Sequence, residues 1–219
     1  MHKAKILVVA IAMSFLLGGC AAALVPMMVA QGAAVGFMGF KTVQTSTGGS
    51  IEIAIDDSKL TNEQKAQLKS IKSMAVWPDK AGEAVTFAEA LSEGGRFKVI
   101  SPARVAAALK KLKLSDDLKL MTATEAKEVF YKVCQETKAE ALISGKSTGG
   151  NTNMNVWSLE RANITMEFLS SIYKKSTNGY IAEIPVTVKV LVGTKIPSDK
   201  EISQLANTEA AKKIIALAQ

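Results

Sequence analysis

Histidine is almost absent from this chain of 219 residues, whose one histidine is His2. His2 precedes two lysines and an uncharged run that begins at Ile6, the pattern of a secretory signal peptide that is cut off. The mature chain then cannot build a Ser-His-Asp or Cys-His catalytic site, nor a zinc site with a histidine ligand. With no catalytic motif either, we predict a protein that is not an enzyme and that uses no metal and no cofactor. A carboxylate pair formed only by folding is the alternative.

Cysteine is also scarce, with two residues in the chain, Cys20 and Cys134. Cys20 closes the uncharged run in the sequence Leu17-Gly18-Gly19-Cys20, which resembles the lipobox of bacterial lipoproteins. The resemblance implies cleavage before Cys20, a diacylglycerol on its thiol and a further acyl chain such as palmitate on its amino group. Several acyl chains form a stable membrane anchor, so we expect residues 1–19 to be a signal peptide and Cys20 to be the lipidation site.

Two other interpretations of this segment stay open. Residues 6–30 are long enough for an uncleaved membrane helix, although Gly18, Gly19 and Pro26 disfavour one smooth helix. Cys20 could also stand by chance beside an ordinary cleavage site.

Charged residues are missing from residues 21–40 as well. We expect residues 20–50 to form a leader and linker that either lies on the bilayer or enters it. Ala21 stands where an aspartate retains lipoproteins of Gram-negative families in the inner membrane. The resemblance therefore implies an outer-membrane protein that faces the periplasm.

The remaining composition limits the other classes of partner and chemistry. Loss of Lys3 and Lys5 leaves 25 basic against 20 acidic side chains, a net charge near +5. The basic residues are interspersed with acidic ones, which argues against a nucleic-acid partner. With Cys20 lipidated, Cys134 has no cysteine to pair with in the same chain. Its helical stripe of apolar neighbours favours a buried core thiol over a reactive one.

Residues 51–219 read as one α/β (α+β) domain, in which helices pack on a mixed sheet that contains a long antiparallel hairpin, followed by a C-terminal helix. Helix starts are indicated at Thr61, Ser101, Thr122 and Ser198 by capping residues. Alternating or buried apolar runs predict strands at residues 51–55, 74–77, 97–100, 141–144, 164–168 and 180–192. The polar residues 147–155 are predicted to be a loop, and Pro185 predicts that the last strand is an edge strand or contains a bulge.

Residues 72–146 resemble a group of periplasmic lipoproteins related to the curli secretion component, whose domain is similar to the N-terminal domain of TolB. The resemblance rests on three short motifs: Met74-Ala75-Val76-Trp77-Pro78, Gly95-Arg96-Phe97-Lys98-Val99-Ile100-Ser101 and Ala139-Glu140-Ala141-Leu142-Ile143-Ser144-Gly145. It implies the fold more than the function. The curli pore contributes two membrane hairpins per subunit, whereas one candidate hairpin is present here.

The sequence thus predicts a lipid-anchored, non-enzymatic accessory or assembly factor that binds an envelope protein. The alternative is a subunit of an oligomeric outer-membrane secretion channel, and self-association is compatible with both. We expect the partner to bind a sheet edge or the hairpin, with Glu183, Pro185 and Lys189 guarding that edge in a monomer. The apolar hairpin face, which includes Ile184 and Val188, either covers the domain's own helices or faces a partner or lipid.

Overall fold

Alternating isoleucine and valine residues build the centre of a twisted sheet in the computed structural model. The structure describes residues 41–45, 50–79, 82–153, 163–191 and 198–219. Cys20, the predicted signal peptide and most of the predicted leader lie outside these residues, so the lipidation site stays a prediction.

The described residues form seven strands and five α-helices. The strands are β1 Lys41–Gln44, β2 Ser50–Ile55, β3 Ser73–Val76, β4 Lys98–Ile100, β5 Ala141–Asn153, β6 Asn163–Lys174 and β7 Gly179–Leu191. The helices are α1 Asn62–Lys69, α2 Glu83–Glu93, α3 Pro102–Leu112, α4 Ala123–Thr137 and α5 Asp199–Leu217.

All seven strands join one sheet in the order β1-β2-β7-β6-β5-β3-β4. Strand β3 runs parallel to β4 and β5, and every other pair is antiparallel. The predicted mixed sheet, hairpin and C-terminal helix are therefore confirmed.

Helices cover both faces of the sheet. One face packs against α1, α2 and α5 and contributes the apolar residues of β2 and β7, among them Ile53, Ile184 and Val188. The other face packs against α3 and α4 and contributes Leu142 and Tyr173. Because alternate strand residues point to opposite faces, β3 and β5 supply both cores from adjacent positions.

The helix starts follow the predicted capping chemistry. Thr61 and Thr122 each accept a hydrogen bond from the backbone N–H three residues on, and the side chains of Gln64 and Glu125 accept one from the cap residue's own N–H. Ser101 and Ser198 cap α3 and α5. Each cap satisfies one of the N–H groups that a helix start leaves unpaired.

The structure corrects the prediction of a loop at residues 147–155. Residues up to Asn153 belong to β5, which pairs with β6 through a register shift between Ser147 and Gly149. Gly150 fits this ladder because a Cβ there would lie 3.1 Å from the carbonyl oxygen of Thr165. The polar composition misled the prediction, since the cross-strand backbone bonds need no apolar side chains.

Pro185 lies where β7 loses its neighbouring strand on one side. Strand β7 stands between β2 and β6 in the sheet, but β2 pairs only with Val186–Leu191. Lys189 is therefore internal, whereas Glu183 and Pro185 lie on the stretch of β7 that β2 does not cover, so the predicted edge is present locally at Pro185. The Pro185 carbonyl accepts a hydrogen bond from the Asp56 N–H at 3.0 Å, and proline cannot return one, so the β2–β7 ladder ends there. A bulge is present in this strand, but it lies at Ile181.

Strand β1 lies within the region predicted to be leader and linker. Lys41–Gln44 pairs antiparallel with β2, in the register Lys41 to Ile53 and Gln44 to Ser50. The sheet thus begins ten residues before the predicted start of the domain at residue 51.

Candidate functional site

The longest open edge in the described part of the sheet belongs to β5. Strand β3 pairs with β5 only from Ala141 to Ile143, and the Trp77 N–H adds one more bond to the Ile143 carbonyl at 2.9 Å. Pro78 then ends the strand, because proline has no N–H to donate to a ladder. Residues 144–153 of β5 consequently pair with β6 on one side alone. We call these residues the β5 edge.

The backbone groups that face outward on the β5 edge follow from the strand's alternation. The Ile143 carbonyl points towards Trp77 and hence away from β6. Successive residues of a strand direct their N–H and C=O groups to opposite sides, so Gly145 and Ser147 also point away from β6. Their backbone groups can bond to a strand laid alongside.

The β5 edge is exposed and polar. Residues 145–150 are all exposed, and Lys146 is the charged side chain among them. A lysine and a bulge, here at Thr148, are devices by which natural edge strands avoid uncontrolled pairing. The edge is thus open to a strand while being protected against aggregation.

The apolar face of the predicted hairpin is buried inside the domain. Ala182, Ile184, Val186, Val188 and Val190 are each at most 5% exposed and contact the core that includes α1, α2 and α5. The expectation that this face covers the domain's own helices is confirmed.

Two surface clefts lie away from the β5 edge. The larger, of about 390 Å³, lies between the start of α1 and the turn from β6 to β7, and we call it the α1–β7 cleft. It is lined by Thr61, Glu63, Gln64, Gln67, Thr177, Gly179, Tyr180 and Ile181. The smaller, of about 300 Å³, lies beside β2 and α5 and holds three lysines, each of which is paired with Glu209 or Asp57.

Cys134 occupies the core, as its helical stripe predicts. Its side chain is 0% exposed on α4, and burial raises the pKa of the thiol to about 12, although Lys175 acts to lower it. A thiol with such a pKa forms almost no nucleophilic thiolate at neutral pH.

The described residues contain neither a candidate metal cluster nor a helix suited to crossing a membrane. In the described ranges, no group of three or more His, Cys, Asp or Glu side chains is placed to hold a metal ion. No helix within those ranges has both the length and the apolarity needed to cross a membrane.

The sequence indicated neither the β5 edge nor the α1–β7 cleft. Pro78 marks the end of β3, but the open edge it creates depends on which strand pairs with β3 and for how long. The cleft joins residues more than 100 positions apart, such as Gln67 and Tyr180, and no local pattern connects them.

Comparison with models of known protein families finds no match, and comparison with curated proteins also finds none. Several solved structures are similar at low identity. Lipoprotein GNA1162 from Neisseria meningitidis is 15% identical over 66% of this chain and 98% of that one, with a TM-score of 0.44. The C-terminal domain of LpoB from Escherichia coli is 15% identical over 57% and 93%, with a TM-score of 0.38. The PelC dodecamer from Paraburkholderia phytofirmans is 12% identical over 77% and 98%, with a TM-score of 0.36.

These neighbours include a bacterial lipoprotein, GNA1162, and an oligomer, PelC. At such identities and scores nothing about function follows for this chain. The grouping with the curli component and TolB stays a prediction from residues 72–146.

Proposed function

We propose that this protein is a lipid-anchored envelope protein that acts without enzymatic chemistry as an accessory or assembly factor. It is held at the outer membrane through Cys20, faces the periplasm, and binds a partner protein by accepting a strand at the β5 edge. Strand addition of this kind draws its affinity from backbone hydrogen bonds and its specificity from alternate side chains.

The observation that carries the proposal is the open β5 edge. Ten residues of β5, interrupted by the bulge at Thr148, extend past the point where Pro78 ends the neighbouring strand. They include outward N–H and C=O groups at Gly145 and Ser147. An incoming strand would continue the line of β3, in contact with residues that are exposed in the described structure.

The secretion-channel alternative has weaker support. It needs the hairpin's apolar face to meet lipid, whereas Ile184 and Val188 are fully buried against the domain's own helices. Those helices would have to move away before the face could meet lipid.

The β5 edge offers a matched pair of test variants at Gly145. Gly145→Pro removes the outward N–H and leaves the bonds to β6 intact, because proline is tolerated where an edge N–H faces solvent. Gly145→Ala keeps the N–H and places its Cβ in open space, with no atom within 4 Å. Both variants should therefore fold, and only one should block strand addition.

The assay is photo-crosslinking in cells, with a benzophenone amino acid in place of Thr148 in the full-length chain. We expect a crosslinked adduct in the otherwise unchanged chain and with Gly145→Ala, and its loss with Gly145→Pro. An adduct of twice the chain's mass would identify the added strand as that of a second copy. Equal adduct yields from the two Gly145 variants, or no adduct in any chain, would contradict strand acceptance at this edge.

The membrane anchor has its own test. Metabolic labelling with a fatty acid should mark the natural chain and not Cys20→Ser. Serine has a hydroxyl in place of the thiol to which the lipid is attached in a lipobox cysteine. Cys134→Ser should label normally because that thiol is buried. Undiminished labelling of Cys20→Ser would remove the anchor from the proposal.

A further inference from the structure

The α1–β7 cleft contains the one buried side-chain polar atom that lacks a hydrogen-bond partner within the described part of the chain. This atom is Oε1 of Gln67. An unsatisfied buried acceptor costs about 1–3 kcal/mol, so natural structures rarely keep one without a reason. The Gln67 side chain as a whole is half-buried and lines the cleft, and its amide would have to rotate for a ligand's donor to reach Oε1.

Most of the other polar groups in the cleft are already engaged. Thr61 and Gln64 bond to each other's backbone N–H groups in the capping box. The Thr177 hydroxyl donates to the Lys174 carbonyl at 3.2 Å. The Glu63 carboxylate and the Gln67 amide therefore remain as the side-chain acceptors for a ligand.

Charges of both signs lie around the cleft. Glu63 is the charged residue of its lining, so an anion would meet a like charge. A cation would lie against the first turn of α1, where the helix dipole is positive. It would also lie near Lys127, whose Nζ is 5.9 Å from the centroid of the Tyr180 ring. The negative Glu63 and the positive groups offset one another, so neither sign of ion is preferred and the cleft suits a neutral ligand rich in hydrogen-bond donors.

Tyr180 adds a flat apolar surface to these acceptors. Its side chain is 36% exposed, while edge-on contacts with Phe130 and Tyr173 hold the ring in place. A fixed, half-exposed aromatic ring beside a few convergent polar groups is typical of small-ligand sites.

We infer that the α1–β7 cleft binds a neutral saccharide. A sugar ring presents a flat face of C–H groups, which fits against Tyr180, and a rim of hydroxyls, which donate to Gln67 and Glu63. This site is separate from the β5 edge, and its ligand would be glycan rather than protein.

Saturation-transfer NMR on the full-length protein tests the inference, with N,N′-diacetylchitobiose as the probe and a polyoxyethylene detergent that contains no sugar. We expect transfer to the sugar's ring protons at millimolar concentration. Gln67→Met keeps the side-chain volume and removes the acceptor, so affinity should fall roughly threefold to tenfold, as for the loss of one hydrogen bond. The same variant should be at least as stable as the natural chain, because the unsatisfied atom is gone.

Tyr180→Leu should abolish the saturation transfer. Tyr131→Leu is its matched control because Tyr131 is exposed on α4 and does not line the cleft. Gly145→Pro should leave sugar binding unchanged, which separates this result from the fate of the β5 edge. Absence of transfer to the natural chain would overturn the inference. Equal binding by Gln67→Met, or displacement of the sugar by lysine amide or acetate, would overturn it as well.

Discussion

Arg96 joins three separate parts of the chain, and its replacement gives the sharpest test of how this domain is held together. Its Nε donates to the Ala218 carbonyl at 2.8 Å, its Nη1 to the Ile71 carbonyl at 3.2 Å and its Nη2 to the Lys69 carbonyl. The guanidinium carbon also lies 5.4 Å from the centroid of the Phe97 ring. The end of α1, the approach to β3 and the end of α5 thus share one cation.

The expected loss follows from these contacts. Hydrogen bonds to a charged group contribute about 1.5–3 kcal/mol each when buried, but Arg96 is half-exposed and the three bonds are not additive. We therefore expect Arg96→Ala to lower the free energy of unfolding by about 2–4 kcal/mol. Arg96→Lys should lose about half as much, because one ammonium cannot replace a planar fork that reaches three carbonyls.

Urea unfolding of the full-length protein, followed by circular dichroism, measures both losses. Arg104→Ala is the matched control, since Arg104 is exposed on α3, and it should change stability by less than about 0.5 kcal/mol. If Arg96→Ala were no worse than Arg104→Ala, water would be replacing the three bonds and the argument would fail. If Arg96→Lys were as stable to unfolding as the natural chain, the stabilisation would come from the positive charge near the helix ends and not from the planar guanidinium.

Three further predictions concern single groups. Cys134 should resist iodoacetamide in the native protein near neutral pH and react fully in denaturant, because its pKa is raised to about 12; rapid native labelling would show that α4 opens. Burial raises the pKa of Glu209, but hydrogen bonds from Lys41 and Lys212 outweigh it and hold the pKa below its usual value. The carboxylate's contribution to stability is therefore present above the pKa of the unfolded chain and is lost as the pH falls through the pKa of the folded protein. Glu209→Gln should therefore destabilise the protein near pH 7 and do so less near pH 3, as measured by urea unfolding, and a loss independent of pH would contradict this. Ser101→Ala should cost about 1 kcal/mol in the same measurement through the lost cap of α3, and an unchanged midpoint would show that the cap contributes nothing.

Predictions that depend on neighbouring residues agree with the structure. Thr61, Ser101, Thr122 and Ser198 each begin a helix because a cap and its partner lie within three positions of one another. The stripe on α4 placed Cys134 in the core for a similar reason, since residues at helical spacing share one face. Such signals need no knowledge of the rest of the chain.

Features that depend on distant pairing were missed. The polar residues 147–153 form a strand because β6 pairs with all of them except Thr148, although their side chains resemble a loop. Pro185 suggested an edge, and β7 does lack β2 beside it from Gly179 to Pro185, but the pairing of Val186–Leu191 with β2 makes the rest of the strand internal. The contacts of Arg96 were equally hidden, because the carbonyls it binds come from positions 25 to 122 residues away.

The open edge and the closed hairpin have one common cause in the unequal lengths of the strands. Strands β5, β6 and β7 contain 12 or 13 residues each, whereas β3 contains four and β4 three. On the side of β7, the six residues of β2 cover the length from Val186 to Leu191, and the chain beyond it crosses to α1. On the side of β5, the cover ends at Trp77 and Pro78, so the rest of the long strand has no neighbour within the described residues. The apolar residues of the hairpin strands β6 and β7 lie under helices, whereas the long unpaired backbone edge belongs to β5, which is polar and glycine-rich over residues 144–153. A partner that binds here is therefore recognised through backbone hydrogen bonds, and this is why replacing one N–H at Gly145 tests the proposal more directly than removing any side chain.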